Sequence, residues 1–420
     1  FIQAAKRCRE ERNMTTAITI GMIIIYVAIM MGIGVYTARQ TRSVSDFVLG
    51  SHSVGSWLTA FAYGTSYFSA VVFIGYAGQF GWTYGVSAAW VGIGNALLGS
   101  LLAWIVLGRR TRIMTQSLGA KTMPEYFEKR WNSKGLKIAA ALIVFVFLIP
   151  YTASVYNGLS RLFNMAFQIE SEGAYKIIII VMALLTAIYV ILGGYAATAI
   201  NDFIQGIVML IGIAAVVICA IQNQGGLTSA LAALGEIEVN GKTNTLNSVF
   251  GPDPLNLLGV VILTSLGTWG LPQMIHKFYA IKSENDIKKG AVISTVFALI
   301  VAGGSYLLGG FDRLFCTLTE DGSGKTVIST LSNGKPDFDA MIPSLLHTAL
   351  PDILIGLVVV LVLSASMSTL SSLVLTSSST LTLDFIKPLF VKKMNEKQQL
   401  VWMRVLLAGF ILISVVIALD

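Results

Sequence analysis

Long apolar segments constrain the fold of this chain more than any other feature of the sequence. Each segment is close to the roughly 20 residues that a helix needs to cross the hydrocarbon core of a bilayer. Charged residues make up only 12% of the chain, whereas about 25% is usual for soluble domains. The sequence therefore predicts an all-α, polytopic membrane protein. The ten predicted segments are residues 15–38, 57–82, 86–108, 136–163, 174–194, 202–222, 255–279, 289–310, 352–385 and 398–419.

The distribution of Lys and Arg among the connections predicts the orientation. The connections after segments one, three, seven and nine carry eighteen of them, with Lys277 assigned to the third of these, and the others carry six. Because Lys and Arg accumulate in cytoplasmic loops, this asymmetry predicts an outside amino terminus in the cell membrane. The net charge of +7 is thus attributed to topology. The expected partners are the lipid bilayer and a small solute, with no nucleic acid; the oligomeric state is left open.

A cluster of hydroxyl side chains lies within the ninth apolar segment, at residues 364–372. A helix turns about 100° per residue, so these side chains fall on two adjacent arcs. Neutral oxygens that converge in a dry place suit a small hard cation. Alternatively, Ser and Thr bond back to their own helix or let two helices pack closely. One arc holds Ala365, Ser368 and Thr369, and the other holds Ser368, Ser371 and Ser372.

One carboxylate, Asp202, stands alone at the edge of an apolar segment. It could cap the sixth helix, because helix starts favour acidic residues. It could also balance the charge of a bound cation, because carboxylates inside a membrane usually have a partner. The sequence offers no Lys or Arg in a neighbouring apolar segment that would neutralise it, so the hydroxyl cluster at 368–372 is the expected complement.

Two segments are interrupted in corresponding ways, at residues 63–69 and 264–272, where Gly, Pro and hydroxyl residues replace the apolar pattern. Such interruptions free backbone carbonyls and are tolerated where they line a polar cavity. The two interrupted segments are five apart, which is the spacing of two inverted five-helix repeats. Each interruption could also be an ordinary Gly kink.

The loops carry two further predictions. Residues 110–135 include a capped helix start at Thr122, with Pro124 in its first turn. Residues 311–343 are polar and Gly-rich, which indicates an external loop without a core of its own. The three His residues are scattered, and no segment places one beside Asp, Glu or Cys as an enzyme site requires. We therefore do not expect an enzyme.

Together these motifs resemble the sodium/solute symporter family, which includes the sodium/proline and sodium/pantothenate symporters. The resemblance implies an inverted-repeat fold like that of the bacterial leucine transporter, with one extra amino-terminal helix. Residues 14–420 would form one transporter domain, with repeats at 57–222 and 255–420 and an amino-terminal extension at 1–13. The second repeat would lack a helix, as if truncated at its carboxyl end. The motifs are residues 46–50, 64–69, 193–194, 201–205, 270–278 and 367–371.

The resemblance also implies site residues. A first Na⁺ would be held by the backbone carbonyls of Thr65, Phe68 and Ala365 and by the hydroxyls of Ser368 and Thr369. A second Na⁺, which only some members bind, would use Asp202, Ser368, Ser371 and Ser372. Solute contacts would come from Tyr67, Ser69, Tyr151, Thr264, Thr268 and Trp269.

The implied activity is sodium-coupled import of an amino acid or an organic carboxylate. Tyr67, Thr264 and Thr268 depart from the proline symporters, which argues against proline and brings the chain nearer to the pantothenate type. Few amide side chains are available for a sugar. The alternative function is a transporter-like sensory module of a signalling protein.

Overall fold

The computed structural model describes residues 2–39, 41–50, 54–167, 172–239, 241–320, 324–391 and 393–419. The fold is helical apart from two two-residue strands, β1 (Cys316–Thr317) and β2 (Thr326–Val327), which pair in parallel. The α-helices are α1 Ile2–Ala38, α2 Val44–Leu49, α3 Ser56–Tyr67, α4 Ala77–Tyr84, α5 Ala89–Gly94, α6 Arg109–Leu118, α7 Met123–Trp131, α8 Lys134–Phe167, α9 Glu172–Asn223, α10 Leu227–Glu236, α11 Pro254–Gly267, α12 Pro272–Ala280, α13 Glu284–Gly309, α14 Asp312–Phe315, α15 Met341–Ala349, α16 Asp352–Thr380, α17 Lys387–Leu389 and α18 Glu396–Leu419. Short π-helical stretches at Val71–Tyr76, Asn95–Leu101, Trp104–Gly108 and Leu381–Ile386 join or extend several of them.

The predicted membrane segments all lie in helical stretches. Among the described residues, seven helical stretches are long and apolar enough to span a bilayer, or eight if the bent pair α11–α12 is one span. Two of the seven are 48 residues long, which is about 70 Å of helix against a hydrocarbon core of about 30 Å. Each of these two therefore passes through more than one predicted segment.

Helix α16 lies at the centre of the bundle and packs against α1, α3, α8 and α9. In its most apolar window 83% of the residues are buried, whereas the corresponding share in the other spans is 22–56%. A helix that is surrounded on all sides by protein can carry hydroxyl groups, because neighbouring helices rather than lipid supply their partners. The hydroxyl cluster of α16 is therefore interior to the protein.

Helix α9 contains predicted segments five and six without a loop between them. The chain turns within it at Gly194, whose backbone angles are φ 56° and ψ −146°. A Cβ at this position would come within 2.8 Å of the Phe47 side chain and carbonyl, so Gly is required there. Asp202 lies two turns beyond this bend and is fully buried. The interpretation of Asp202 as a helix cap is therefore wrong.

The two predicted interruptions are confirmed. Helix α3 ends at Phe68, whose ψ of 113° is extended. Helix α11 runs through a 3₁₀ turn to Leu271, whose ψ is 116°, and α12 departs at an angle of 51°. Both breaks leave carbonyl groups without the amide partner that a continuous helix would supply.

The structure confirms one loop prediction and corrects the other. Helix α7 begins where expected, and its Glu125 amide donates a hydrogen bond to the Thr122 hydroxyl. Within the segment 311–343, the side chains of Phe311, Phe315 and Ile328 are buried, and α15 starts at the end of the segment, at Met341. The amphipathic pattern of α15 begins only at the last residues of the polar stretch, so the polar composition of that stretch obscured the start of the helix.

Candidate cation and solute site

The hydroxyl groups of Ser368 and Thr369 on α16 face the broken end of α3. The Ser368 hydroxyl lies 3.1 Å from the Thr65 carbonyl and 2.9 Å from the Ala365 carbonyl. The Thr369 hydroxyl lies 3.2 Å from the Thr65 carbonyl, 3.3 Å from the Phe68 carbonyl and 3.1 Å from the Ala365 carbonyl. All five predicted ligands of the first Na⁺ thus meet in one place.

The end of α3 explains why two of these carbonyls are available. The Phe68 amide closes the last helical hydrogen bond with the Gly64 carbonyl, and the chain then becomes extended. The carbonyls of Thr65 and Phe68 therefore point to α16 instead of continuing a helical ladder. All five residues are at most 2% exposed. A dry set of neutral oxygens on two different helices fits a small hard monovalent cation.

Asp202 faces a lysine, which corrects the sequence analysis. The Lys277 ammonium on α12 lies 3.6 Å from Asp202 Oδ2. Lys277 is 2% exposed and Asp202 is 0% exposed, so this pair is inside the protein. The expectation that no Lys or Arg could neutralise Asp202 is therefore wrong, as is the assignment of Lys277 to a loop. Seventeen of the eighteen Lys and Arg residues predicted to lie on the cytoplasmic side remain assigned to loops, so the asymmetry behind the predicted orientation is kept.

The Lys277 ammonium also donates a hydrogen bond to the Ser372 hydroxyl, at 3.0 Å. The hydroxyl oxygens of Ser372 and Ser66 are 2.9 Å apart, and the Ser66 hydroxyl donates its own proton to the Ala62 carbonyl. Ser372 must therefore donate to Ser66 while it accepts from Lys277. This chain of contacts connects α12 through α16 to α3.

The four residues predicted to bind a second Na⁺ do not converge on one place. Asp202 and Ser372 both contact Lys277, whereas Ser368 faces the first site and the Ser371 hydroxyl donates to the Ser368 carbonyl at 2.9 Å. Neither Asp202 oxygen accepts a hydrogen bond within the described part of the chain. The ammonium also lies over the ring of Tyr195, at 5.1 Å from its centroid, which is a favourable position for a cation.

Three of the predicted solute contacts lie together beside the first cation site. Tyr67 and Ser69 alternate in sequence with Thr65 and Phe68 at the break of α3. Tyr151, on α8, has Tyr67 and Ser69 as neighbours. The break of α3 therefore presents backbone oxygens to the cation site and side chains to the adjoining space.

The other three predicted contacts lie on and beside α11. The Thr268 hydroxyl is 3.2 Å from the Gly99 carbonyl, and the Trp269 indole N–H donates to the Leu98 carbonyl at 2.9 Å. The half-buried Thr264 donates to the Val260 carbonyl of its own helix at 2.9 Å. These three hydroxyl and indole groups therefore already have backbone partners, two of them in the π-helical stretch Asn95–Leu101.

Asn95 connects the two sets of predicted solute contacts, and it was not among the residues predicted for the site. Its amide nitrogen donates to the Tyr67 hydroxyl at 3.0 Å, and its amide oxygen accepts from the Ser265 hydroxyl at 3.2 Å. Tyr306 of α13 is a further neighbour of Tyr67. An amide inside an apolar segment was a detectable signal. Lys277 was detectable too, because it lies inside the predicted segment 255–279.

A cavity of about 470 Å³ adjoins the break of α3. It begins at Ala70 and Val71 and is bounded by the loop that holds Asp337 and Asp339. Arg161 donates to both Asp337 oxygens, at 2.9 and 3.1 Å, and lies 3.6 Å from Asp339. Burial raises the pKa of the Asp339 carboxyl, and the Arg161 guanidinium opposes that shift. The cavity leads from this loop to the residues after Ser69.

Known proteins that are similar to this chain, in sequence or in fold, are sodium symporters. The sodium/proline symporters of Staphylococcus aureus strains JH9 and JH1 are each 32% identical over 372 residues, which is 87% of this chain and 68% of theirs. A solved Na⁺-coupled sialic acid symporter, in a substrate-bound outward-open state, has a TM-score of 0.72 at 16% identity and covers 96% of this chain and 81% of its own. This likeness confirms the predicted inverted-repeat fold. The family model described as Sodium:solute symporter family matches residues 47–420, and the chain belongs to that family.

Proposed function

We propose that this protein imports a small amino acid or organic carboxylate across the cell membrane, driven by Na⁺ bound between α3 and α16. Family membership establishes the coarser statement, that it is a multi-pass membrane protein of a sodium-coupled solute transporter family. The proposal that Na⁺ binds between α3 and α16 rests on the convergence of five buried neutral oxygens, from Thr65, Phe68, Ala365, Ser368 and Thr369.

The arrangement of the α3 break suggests how sodium and solute are coupled. Thr65 and Phe68 supply backbone carbonyls to the cation. Tyr67, which precedes Phe68, and Ser69, which follows it, face the solute region. A Na⁺ that fixes the end of α3 against α16 also fixes these two side chains. Each ligand therefore favours the same conformation, and each raises the affinity of the protein for the other.

The chemistry of the solute region supports a small polar molecule. Tyr67, Asn95 and Ser265 form a hydrogen-bonded set, and Tyr151 lies next to it. A carboxylate could be held by the positive end of a broken half-helix without an Arg side chain. The relatives above are named as sodium/proline symporters, but Tyr67, Thr264 and Thr268 differ from the residues expected at these positions in a proline symporter.

The proposed orientation places the amino terminus and the loop 311–343 outside. The cavity below that loop would then be the external route to the solute region. With about 100 mV across the membrane, one Na⁺ contributes about 2.3 kcal/mol, which is about a fifty-fold solute accumulation. The concentration gradient of Na⁺ adds to this value.

Uptake by proteoliposomes tests the proposal. The purified full chain is reconstituted, and the uptake of radiolabelled amino acids and organic carboxylates is compared with and without an inward Na⁺ gradient. At least one solute should accumulate only with the Na⁺ gradient, and Thr369→Val should abolish this accumulation.

Thr382→Val is the matched control, because this buried hydroxyl donates only to the carbonyl of Ser378 in its own helical stretch. It should leave uptake unchanged. Accumulation driven by a proton gradient alone, or equal loss in both Thr variants, would overturn the assignment of Na⁺ to this site.

A further inference from the structure

We propose that the Lys277 ammonium is a tethered cation that occupies the second cation position permanently, so that this transporter moves one Na⁺ per cycle. The inference rests on the proposed function, because it concerns how many ions that function uses. The position lies between Asp202 of α9 and Ser372 of α16, and Lys277 reaches it from α12.

The ammonium takes the place that a second Na⁺ would need. It lies 3.6 Å from Asp202 Oδ2 and 3.0 Å from the Ser372 hydroxyl, and these are two of the four oxygen-bearing side chains predicted to bind a second ion. Its third neighbour is the face of Tyr195, at 5.1 Å. A carboxylate, a hydroxyl and an aromatic face together form a favourable environment for a lysine cation.

Charge balance separates this position from the first site. Asp202 and Lys277 neutralise each other inside the protein. A Na⁺ added beside both would leave an unbalanced positive charge at a second buried place, in addition to the ion held by neutral oxygens at Thr369. Buried charge without a partner is strongly unfavourable in a membrane protein. The ammonium and a second Na⁺ therefore exclude each other.

Sodium does not displace the ammonium, because the ammonium is buried beside its carboxylate partner. Lys277 is 2% exposed and lies in the middle of α12, whose residues Gln273 to Ala280 are all buried. Moving it away from Asp202 would separate two opposite charges inside the protein. Covalent attachment also gives the ammonium a high effective concentration at the carboxylate, which free Na⁺ cannot match.

The tether has a mechanical consequence. Lys277 belongs to the half-helix that follows the second break, and its contacts hold that half-helix against α9 and α16. Ser372 then continues the contact to Ser66, next to Thr65 of the first site. The positive charge that a second ion would bring into the protein on each cycle is thus a fixed part of the protein. The membrane potential then drives about fifty-fold solute accumulation per 100 mV, and not the square of that factor that two ions would give.

Equilibrium binding of ²²Na⁺ to the purified full chain tests the inference without knowledge of the solute. The wild-type protein should bind one Na⁺ with a Hill coefficient of one. Lys277→Met keeps the length of the side chain, removes the charge and exposes Asp202 to a new cation, so this variant should bind two Na⁺. Lys277→Met combined with Asp202→Asn should return to one.

Controls separate the inference from the proposed function. Lys288→Met, which changes an exposed lysine on α13, should bind one Na⁺ as the wild type does. Thr369→Val should weaken the binding of the wild-type ion about 10- to 100-fold. If the wild type binds no Na⁺, the proposed function fails.

If the wild type binds one Na⁺ and Thr369→Val weakens that binding, the proposed function survives and the variants at Lys277 and Asp202 decide the inference. Two ions on the wild type, or a single ion on a folded Lys277→Met protein, would overturn it. If Lys277→Met does not fold, the number of Na⁺ ions on the wild type still decides. The double variant, in which neither position of the pair is charged, shows whether the first site is kept without the pair.

Discussion

The two cation positions that we propose lie within about one helical turn of each other on α16, and they are built from opposite chemistry. The first, around Thr369, uses neutral oxygens from α3 and α16, and the second, around Ser372, places a carboxylate against a lysine. Neutral oxygens bind a mobile ion without trapping it, because the empty position carries no net charge and its hydroxyls can bond to the carbonyls. A buried carboxylate is neutral only when it binds a proton, and otherwise it needs a cation beside it. The comparison teaches that an exchangeable site and a permanent one can share a helix.

The largest expected effect comes from removing the lysine of the permanent position. In Na⁺-free buffer, Lys277→Met should lower the free energy of unfolding by about 3–5 kcal/mol, because Asp202 is left as an unpaired buried charge. Chemical denaturation in detergent micelles measures this value. Added Na⁺ should stabilise this variant more than the wild type, because an additional ion binds only to its folded state. The double variant with Asp202→Asn should regain most of the loss, and a folded Lys277→Met protein as stable as the wild type in Na⁺-free buffer would contradict the pairing.

The next effect concerns the exchangeable position. Thr369→Val keeps the shape of the side chain but removes one ligand, and a contact to a charged group is worth about 1.5–3 kcal/mol. We expect Na⁺ affinity to fall about 10- to 100-fold, measured by ²²Na⁺ binding. Stability without Na⁺ should change much less than for Lys277→Met. An unchanged affinity would remove Thr369 from the site.

A smaller effect is expected at the junction of the two positions. Ser372→Ala removes the acceptor of the Lys277 ammonium and a partner of Ser66, which should cost about 1–3 kcal/mol of stability. Thermal unfolding followed by intrinsic fluorescence measures this loss. Ser414→Ala, at a buried serine that bonds only within α18, is the control and should cost less. The affinity for the first Na⁺ should stay at its wild-type value, and a large drop would mean that the positions are not independent.

The smallest effect tests whether burial is what makes the Lys277 pair matter. Arg161 is paired with Asp337 near the cavity, but its side chain is 38% exposed. Water already screens this pair, so Arg161→Gln should change the free energy of unfolding by no more than about 1 kcal/mol. The same denaturation assay measures both variants. A loss as large as that of Lys277→Met would show that burial does not distinguish the two pairs.

The first cation position was predictable from sequence because its information is local. Ser368 and Thr369 share one arc of a helix by simple periodicity, and the break near Phe68 is written in the Gly and hydroxyl residues of 63–69. The resemblance then supplied the pairing between the two elements. The breaks in α3 and after α11 were predictable for the same reason, since Gly and Pro interrupt a helix wherever they occur.

The sequence by itself determined the all-α membrane class, the helical segments, the two breaks and the shared arc of Ser368 and Thr369, because hydropathy, helical period and Gly or Pro act over a few residues. Only the tertiary structure decided what Asp202 faces. Lys277 was assigned to a loop because it stands at the end of an apolar segment, and its burial depends on the bend at Leu271 and on the helices packed around α12. Charge pairing inside a bundle is set by helix packing, which no local pattern encodes.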